Sequence, residues 1–180
     1  TGTGGGSDSG AEWDAAADTD KPNTGEAAAA RRVAARVRSA AEHLGHLADS
    51  GRAPAWPGGA APDRVTVQTH CHEYSTFGNR IQRATLTALG VGSVREATGC
   101  CGVAGDFGFT AGHEAVVDAV AEQALAPALR ADPVAPVLTD GFSCATQVAH
   151  LSAHDAGVGR RTGRHLFELL DPDPRPDPPP

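Results

Sequence analysis

The sequence contains no methionine, no dense run of basic residues and no apolar run long enough to cross a bilayer. Proteins that bind nucleic acid ordinarily cluster Lys and Arg on one face, whereas this chain has a net charge of −7, so nucleic acid is not expected as its partner. A spanning helix needs about 20 apolar residues, so no transmembrane segment is expected either. No secretory signal is recognisable. Because translation begins with methionine, we expect a processed chain or a piece of a longer one.

Both ends of the chain are poor in residues that could build a core. Residues 1–25 are mostly Gly, Ala, Ser, Thr and Asp, and the end of the chain, 171–180, is "DPDPRPDPPP". Such segments bury too little apolar surface to offset the entropy of ordering, and alternating prolines favour an extended chain. We therefore expect disorder over 1–25 and 171–180, a helix and a Gly/Pro linker over 26–62, and one folded domain over 63–170.

Between these ends, the apolar residues follow two different periods. The helical period recurs in five segments, which are 26–48, 79–90, 111–131, 145–153 and 163–170. The alternation typical of strands recurs in three segments, which are 64–71, 92–98 and 135–144. Strands that alternate with helices predict an α/β fold, here a small parallel sheet with flanking helices.

The chain has only four cysteines, Cys71, the adjacent pair Cys100 and Cys101, and Cys144. Each lies at the carboxyl end of a predicted strand, which is the edge where open α/β sheets bind ligands. Glycines flank the adjacent pair in "TGCCGVAG" and allow the backbone to approach a ligand closely. The sequence therefore predicts that three separate segments deliver four thiols to one edge.

Four converging thiolates can hold zinc or an iron–sulfur cluster. However, the spacing is neither that of a zinc ribbon with paired C-x-x-C units nor that of the C-x-x-C-x-x-C run of cubane-cluster ferredoxins. Two disulfides would suit a secreted protein, but nothing else indicates secretion, and clustered cysteines in a reducing cytoplasm indicate metal or redox chemistry. Two alternatives stay open, namely small buried cysteines without a ligand and a thiol nucleophile at Cys100 or Cys101.

Two histidines flank Cys71 in "THCHE". On a strand, His70 and His72 would point to the face opposite Cys71, but the predicted strand ends there, which lets His72 turn toward the edge. His72 is therefore a candidate alternate ligand, or a hydrogen-bond partner of a ligand. For Asp140, the simpler expectation is a solvated polar residue near a turn.

Five segments in this order, "HCHE", "GCCGVAGDFG", "QALAP", "GFSCATQ" and "HLFELL", resemble the cysteine-rich CCG domain. That domain occurs in the cysteine-rich subunit of heterodisulfide reductase and at the C-terminus of FAD-linked oxidases of the D-lactate, glycolate and D-2-hydroxyglutarate dehydrogenase type. The resemblance extends from about Arg64 to Leu170. It implies a Rossmann-like CCG fold and an electron-transfer role in a 2-hydroxy-acid oxidoreductase. A structural zinc domain that stabilises or docks the larger enzyme is the alternative.

Carried over residue by residue, the resemblance makes Cys71, Cys100, Cys101 and Cys144 the ligands of an iron–sulfur cluster or of zinc. The fullest version of the motif ends in C-x-x-C, and Gln147 stands here in place of the fifth cysteine. The five-cysteine, non-cubane cluster of the heterodisulfide reductase relatives would therefore lack one ligand here, and the four remaining thiolates could hold zinc or an ordinary iron–sulfur cluster instead.

The family's flavin-binding region and cubane-cluster motifs have no counterpart in this sequence. The resemblance therefore implies that FAD is carried by a missing portion or by a partner, and that this chain alone is not catalytic. We expect a cytoplasmic location, with peripheral attachment at the inner face of the membrane through a partner as an option.

Overall fold

A computed structural model describes residues 25–171, so the disorder expected over 1–25 and 171–180 falls almost entirely outside the described residues. The chain divides into two compact units, one ending at Val37 and the other beginning at Arg38. In the first unit, helix α1 (Gly25–Ala34) has no buried residue.

The prediction of one continuous helix over 26–48 is wrong. In the second unit, a new helix, α2, spans Ala40–Asp49. Ser39 has an extended backbone, and its side chain accepts a hydrogen bond from the N–H of Glu42 at 3.1 Å. Because this arrangement caps the start of α2, the helix begins afresh at Ala40 although the surrounding Ala and Arg residues favour helix throughout.

The second unit is an α/β domain. Its strands are β1 (Arg64–Gln68), β2 (Ser93–Glu96), β3 (Val137–Thr139) and β4 (Gly163–Arg164). Its remaining helices are α3 (Cys71–Phe77), α4 (Arg80–Ala88), α5 (Glu114–Ala121), α6 (Leu125–Ala131), α7 (Phe142–His154) and α8 (Leu166–Leu169). The four strands form one parallel sheet in the order β2-β1-β3-β4, which confirms the predicted fold class.

The sheet is buried at its centre, as parallel sheets flanked by helices are. In β1, every residue after Arg64 is buried, and Val67 pairs with Leu138 of β3 and with Glu96 of β2. Two apolar clusters pack around the sheet, one including Leu86 and Val65 and the other including Leu125 and Val148.

All three predicted strands are shorter than their sequence patterns predict, and the one expected over 92–98 spans Ser93–Glu96. The strand expected over 64–71 ends at Gln68, and the strand expected over 135–144 ends at Thr139. These two end residues pair with each other, so both strands stop at the same level. Cys71 and Cys144 consequently lie in the first turns of helices α3 and α7 rather than at strand ends.

Two further predicted helices differ in the structure. The segment 163–170, predicted as one helix, contains strand β4 followed by the short helix α8. The segment 111–131 contains two helices, because Ala124, with φ −150° and ψ −50°, interrupts helical geometry between α5 and α6. Among residues 25–171, no helix is both long and apolar enough to cross a membrane.

Candidate functional site

The parallel sheet brings all four cysteines to its carboxyl edge. Cys71 opens α3 just beyond β1, and Cys144 lies in the first turn of α7 just beyond β3. The loop that leaves β2 after Glu96 carries Cys100 and Cys101. Since β1 lies between β2 and β3, the three segments leave the sheet side by side.

The four thiols meet in two pairs. Cys71 is exposed and Cys100 is half-buried, and their side chains hydrogen-bond to each other. Cys101 and Cys144 are 3% and 0% exposed and form the second hydrogen-bonded pair. Cys71 also lies close enough to Cys101 and Cys144 to interact with their charges, so the two pairs are neighbours.

The buried pair holds one thiolate and one thiol. The hydrogen bond from Cys144, aided by the backbone N–H groups of Cys101, Val103 and Ala104, lowers the pKa of Cys101 to about 6, even though burial acts in the opposite direction. The same hydrogen bond, together with burial, raises the pKa of Cys144. At neutral pH Cys101 is therefore a thiolate that accepts from the Cys144 S–H, and the thiolate is the form that binds metals.

The pKa of Cys71 is shifted in the opposite direction to that of Cys101. Partial burial, and then the neighbouring Cys100, raise the pKa of Cys71 above that of a free thiol. With Cys101 ionised nearby, a second thiolate meets like charge unless a cation is present.

The glycines beside the cysteine pair shape the loop that supports the Cys101 sulfur. Gly102 has φ +93°, and its N–H donates to the Cys100 sulfur at 3.4 Å. A Cβ at Gly102 would overlap the carbonyl oxygen of Val117 in α5. The loop thus turns tightly against α5, with the Gly102 N–H on the Cys100 sulfur and the N–H groups of Val103 and Ala104 on the Cys101 sulfur.

A cavity of about 360 Å³ adjoins the exposed pair. Cys71, Tyr74 and Cys100 contribute to its wall, and the side-chain amide of Asn79 donates to Glu96 at 2.6 Å where α4 and β2 border it. Sequence patterns did not indicate this cavity, because Tyr74 and Asn79 reach it only through α3 and the start of α4.

His72 lines a different pocket from the thiols. That pocket also contains Glu73, Asp140 and His165, on the side of α3 that faces the ends of β3 and β4. Of the two pockets, His72 thus lines this one, and the wall of the cavity beside Cys71 and Cys100 does not include it. The His70 and His72 rings are stacked, with 6.3 Å between their centroids.

Asp140 anchors a polar network in this second pocket. It is hydrogen-bonded to Glu73, accepts from the side-chain amide of Gln82, and lies 3.3 Å from Nε2 of His165. Burial, and then the hydrogen bond and charge of Asp140, raise the pKa of Glu73 to about 8. The expectation of a merely solvated Asp140 is therefore wrong, and sequence reasoning missed Glu73 because the network depends on tertiary contacts.

Gln147, at the position of the fifth cysteine in the fullest motif, is 2% exposed. Its amide donates to Asp118 of α5 at 3.4 Å. The side chain thus makes a polar contact between α5 and α7 at this position.

The donor set at the edge suits a thiolate metal centre, since it offers four sulfurs, one of them ionised. As the side chains stand, however, the part of the chain from residue 25 to 171 contains no group of three or more His, Cys, Asp or Glu arranged to hold an ion. The sulfurs instead hydrogen-bond to each other in pairs. The cysteine side chains must therefore rearrange before all four can bind one ion.

Comparison with known proteins gives one informative similarity. No family model matches the chain, and no solved structure matches it. Over 113 residues the chain is 33% identical to the D-2-hydroxyglutarate dehydrogenase of Pseudomonas putida. The match covers 62% of this chain but only 10% of that enzyme, so the chain spans a small fraction of its relative's length. The chain is thus related to one part of a much longer D-2-hydroxyglutarate dehydrogenase.

Proposed function

We propose that the chain is the electron-transfer module of an FAD-linked 2-hydroxy-acid oxidoreductase, with a metal centre held by Cys71, Cys100, Cys101 and Cys144. The observation that carries the proposal is the meeting of four thiols, one of them ionised, at one sheet edge. The similarity to part of a D-2-hydroxyglutarate dehydrogenase supports the reaction class.

Soft thiolate ligands select zinc or iron–sulfur clusters. An iron–sulfur cluster, when bound, would supply one-electron transfer. The chain's own contribution is to hold Cys101 ionised through the hydrogen bond from Cys144 and through backbone N–H groups, and to keep Cys101 and Cys144 away from water. Because Cys71 is exposed, the same centre would have one face open to an electron donor or acceptor.

Exposed aromatic side chains around this edge support docking to a larger protein. Tyr74, Phe109 and Phe142 are 60%, 60% and 80% exposed, and they follow β1, β2 and β3 respectively. Exposed apolar side chains grouped on one side of a protein mark interaction surfaces, and interfaces are enriched in aromatic residues. We infer that the flavin-bearing portion of the enzyme covers this edge.

A structural zinc domain is the second candidate. Gln147, buried in place of a fifth cysteine and engaged with Asp118, favours a centre with four thiolates rather than the five-cysteine cluster of the resemblance. Four thiolates are the ligand set of a closed structural zinc site. Zinc thiolates are colourless, whereas iron–sulfur clusters absorb visible light, so the spectrum separates the two candidates.

The electron-transfer role is tested by reconstitution with the flavin-bearing portion of the enzyme. We expect the isolated chain to purify without flavin and to reduce no dye with glycolate, D-lactate or D-2-hydroxyglutarate. Dye reduction should appear when the flavin-bearing portion is supplied, and the double variant Cys100→Ser, Cys101→Ser should abolish it. Ser143→Ala, beside Cys144 but without loss of a sulfur, should keep the activity.

Two results would count against this role. Oxidation of any 2-hydroxy acid by the isolated chain would mean that the flavin partner is unnecessary. Full activity of the reconstituted double variant, with folding verified by circular dichroism, would leave only the structural role.

A further inference from the structure

We propose that Gln68 is a positioning residue whose side-chain amide sets the spacing between Cys71 and Cys100. The inference rests on the proposed function only for its metal-binding readout. Gln68 ends β1 at the centre of the sheet and is 0% exposed.

The side-chain amide of Gln68 donates hydrogen bonds to both of the segments that carry these cysteines. Nε2 of Gln68 donates to the carbonyl oxygen of Gly99 at 2.8 Å and to that of Thr69 at 3.4 Å. Gly99 directly precedes Cys100, and Thr69 lies two residues before Cys71. Movement of either segment away from the other must therefore stretch or break a hydrogen bond to Gln68.

The link continues where the backbone ladder ends. The last β2 residue is Glu96, and the N–H of Ala97 donates to the carbonyl of Val67 at 2.9 Å. Two residues further along the loop, the next hydrogen bond between these segments comes from the Gln68 side chain, which donates to the carbonyl oxygen of Gly99. On one side Gly99 lies close to Ala124, because a Cβ at position 99 would lie 2.9 Å from the Cβ of Ala124.

Stability does not explain a glutamine at this position. Its Oε1 is buried and, among the described residues, has no hydrogen-bond donor. A buried acceptor without a donor lowers stability, whereas a methionine of similar length would fill the volume without that penalty. The useful part of the side chain is the N–H donor, which serves the two cysteine-bearing segments.

The first test measures binding of Co²⁺ to the full 180-residue chain under anaerobic conditions, followed by the visible thiolate-to-cobalt bands. Changes to groups that orient metal ligands typically weaken binding 10–100-fold. We expect Gln68→Met to weaken Co²⁺ binding by about tenfold or more and to alter the bands. Thr85→Val is the control, because it removes another buried hydrogen bond to a carbonyl, from Thr85 Oγ1 to Ala41 at 2.8 Å, away from the cysteines. Its affinity and bands should match those of the wild type.

The second test needs no metal. Oxidised glutathione accepts two electrons and two protons from the Cys71 and Cys100 thiols, which form a disulfide and release two molecules of reduced glutathione. Peptide mapping gives the rate of this bond's formation. We expect Gln68→Met to slow it about tenfold and Thr85→Val to leave it unchanged. If Gln68→Met fails to fold, Gln68→Asn, whose amide is one methylene short of Gly99, should slow the reaction in the same direction.

The two tests separate the inference from the proposed function. If the wild type binds no Co²⁺ but Gln68→Met slows disulfide formation, the metal site is wrong and the positioning role stands. If the folded variant at position 68 matches the wild type in disulfide formation, the positioning role is overturned, whatever the metal result.

Discussion

Replacing Gly102 by alanine tests how the cysteine loop is built. Gly102 has φ +93°, in the region that L-residues avoid, and the new Cβ would overlap the carbonyl oxygen of Val117. Backbone strain of this kind amounts to about 1–2 kcal/mol, and overpacking against a rigid neighbour adds about 1–3 kcal/mol. We therefore expect Gly102→Ala to lower the free energy of unfolding by about 2–5 kcal/mol.

Gly105 offers a matched control in the same loop. Its φ is +69°, but a Cβ there would have no other atom within 4 Å. Gly105→Ala should therefore lower the free energy of unfolding by the backbone strain alone, which is about 1–2 kcal/mol. For a chain of this size, each kcal/mol lost from the free energy of unfolding lowers Tm by roughly 2–4 °C.

The assay is urea and thermal unfolding of both variants beside the wild type, followed by titration of the Cys101 thiolate through its ultraviolet absorbance. In Gly102→Ala the hydrogen bond from Cys144, the largest cause of the low Cys101 pKa, should remain, but the N–H groups of Val103 and Ala104 should withdraw from the sulfur, so the Cys101 pKa should rise above about 6. Equal destabilisation by the two alanines, with an unchanged Cys101 pKa, would refute the close packing of this loop on α5.

Two further substitutions probe the polar network and the core. Glu73 has a folded-state pKa raised to about 8, so the folded chain holds a proton that the unfolded chain releases near its ordinary value of 4.5, and stability should fall as pH rises from about 5 through 8. Because Glu73 is only half-buried, we expect the free energy of unfolding to fall by about 1–2 kcal/mol over this range. Urea unfolding of Glu73→Gln should show a flatter pH profile, and an unchanged profile would contradict the burial of Glu73 beside Asp140. Leu125→Ala removes a fully buried side chain and should lower the free energy of unfolding by about 2–5 kcal/mol; a loss below about 1 kcal/mol would place Leu125 outside the core.

The sequence predicted three of the four strands because strand patterning and cysteine position are local features, but it missed β4, which lies in a segment predicted as helix. Val65 and Val67 alternate as a strand requires, and parallel strands bring their carboxyl ends to one edge, so the meeting of Cys71 with Cys100 follows from topology. Strand ends were harder to place, because β1 stops where its partner β3 stops and not where its own pattern stops.

The missed features depend on contacts between distant segments. The Ala- and Arg-rich stretch favours helix throughout, yet the Ser39 cap divides it. Glu73 and Asp140 are far apart in sequence and meet only because α3 packs beside the end of β3. The role of Gln68 likewise appears only when its amide is seen to reach Gly99.

The most direct test of the metal centre is metal analysis of the anaerobically purified chain together with its visible spectrum. We predict bound metal in the wild type, visible absorbance if the metal is an iron–sulfur cluster, and a comparable loss of metal in Cys71→Ser, Cys100→Ser, Cys101→Ser and Cys144→Ser. Structural thiolate sites contribute on the order of 10 kcal/mol to folding, so these variants should also be less stable. A wild-type chain that is fully stable without metal, or a Cys71→Ser variant that keeps all of its metal, would contradict a centre shared by the four cysteines.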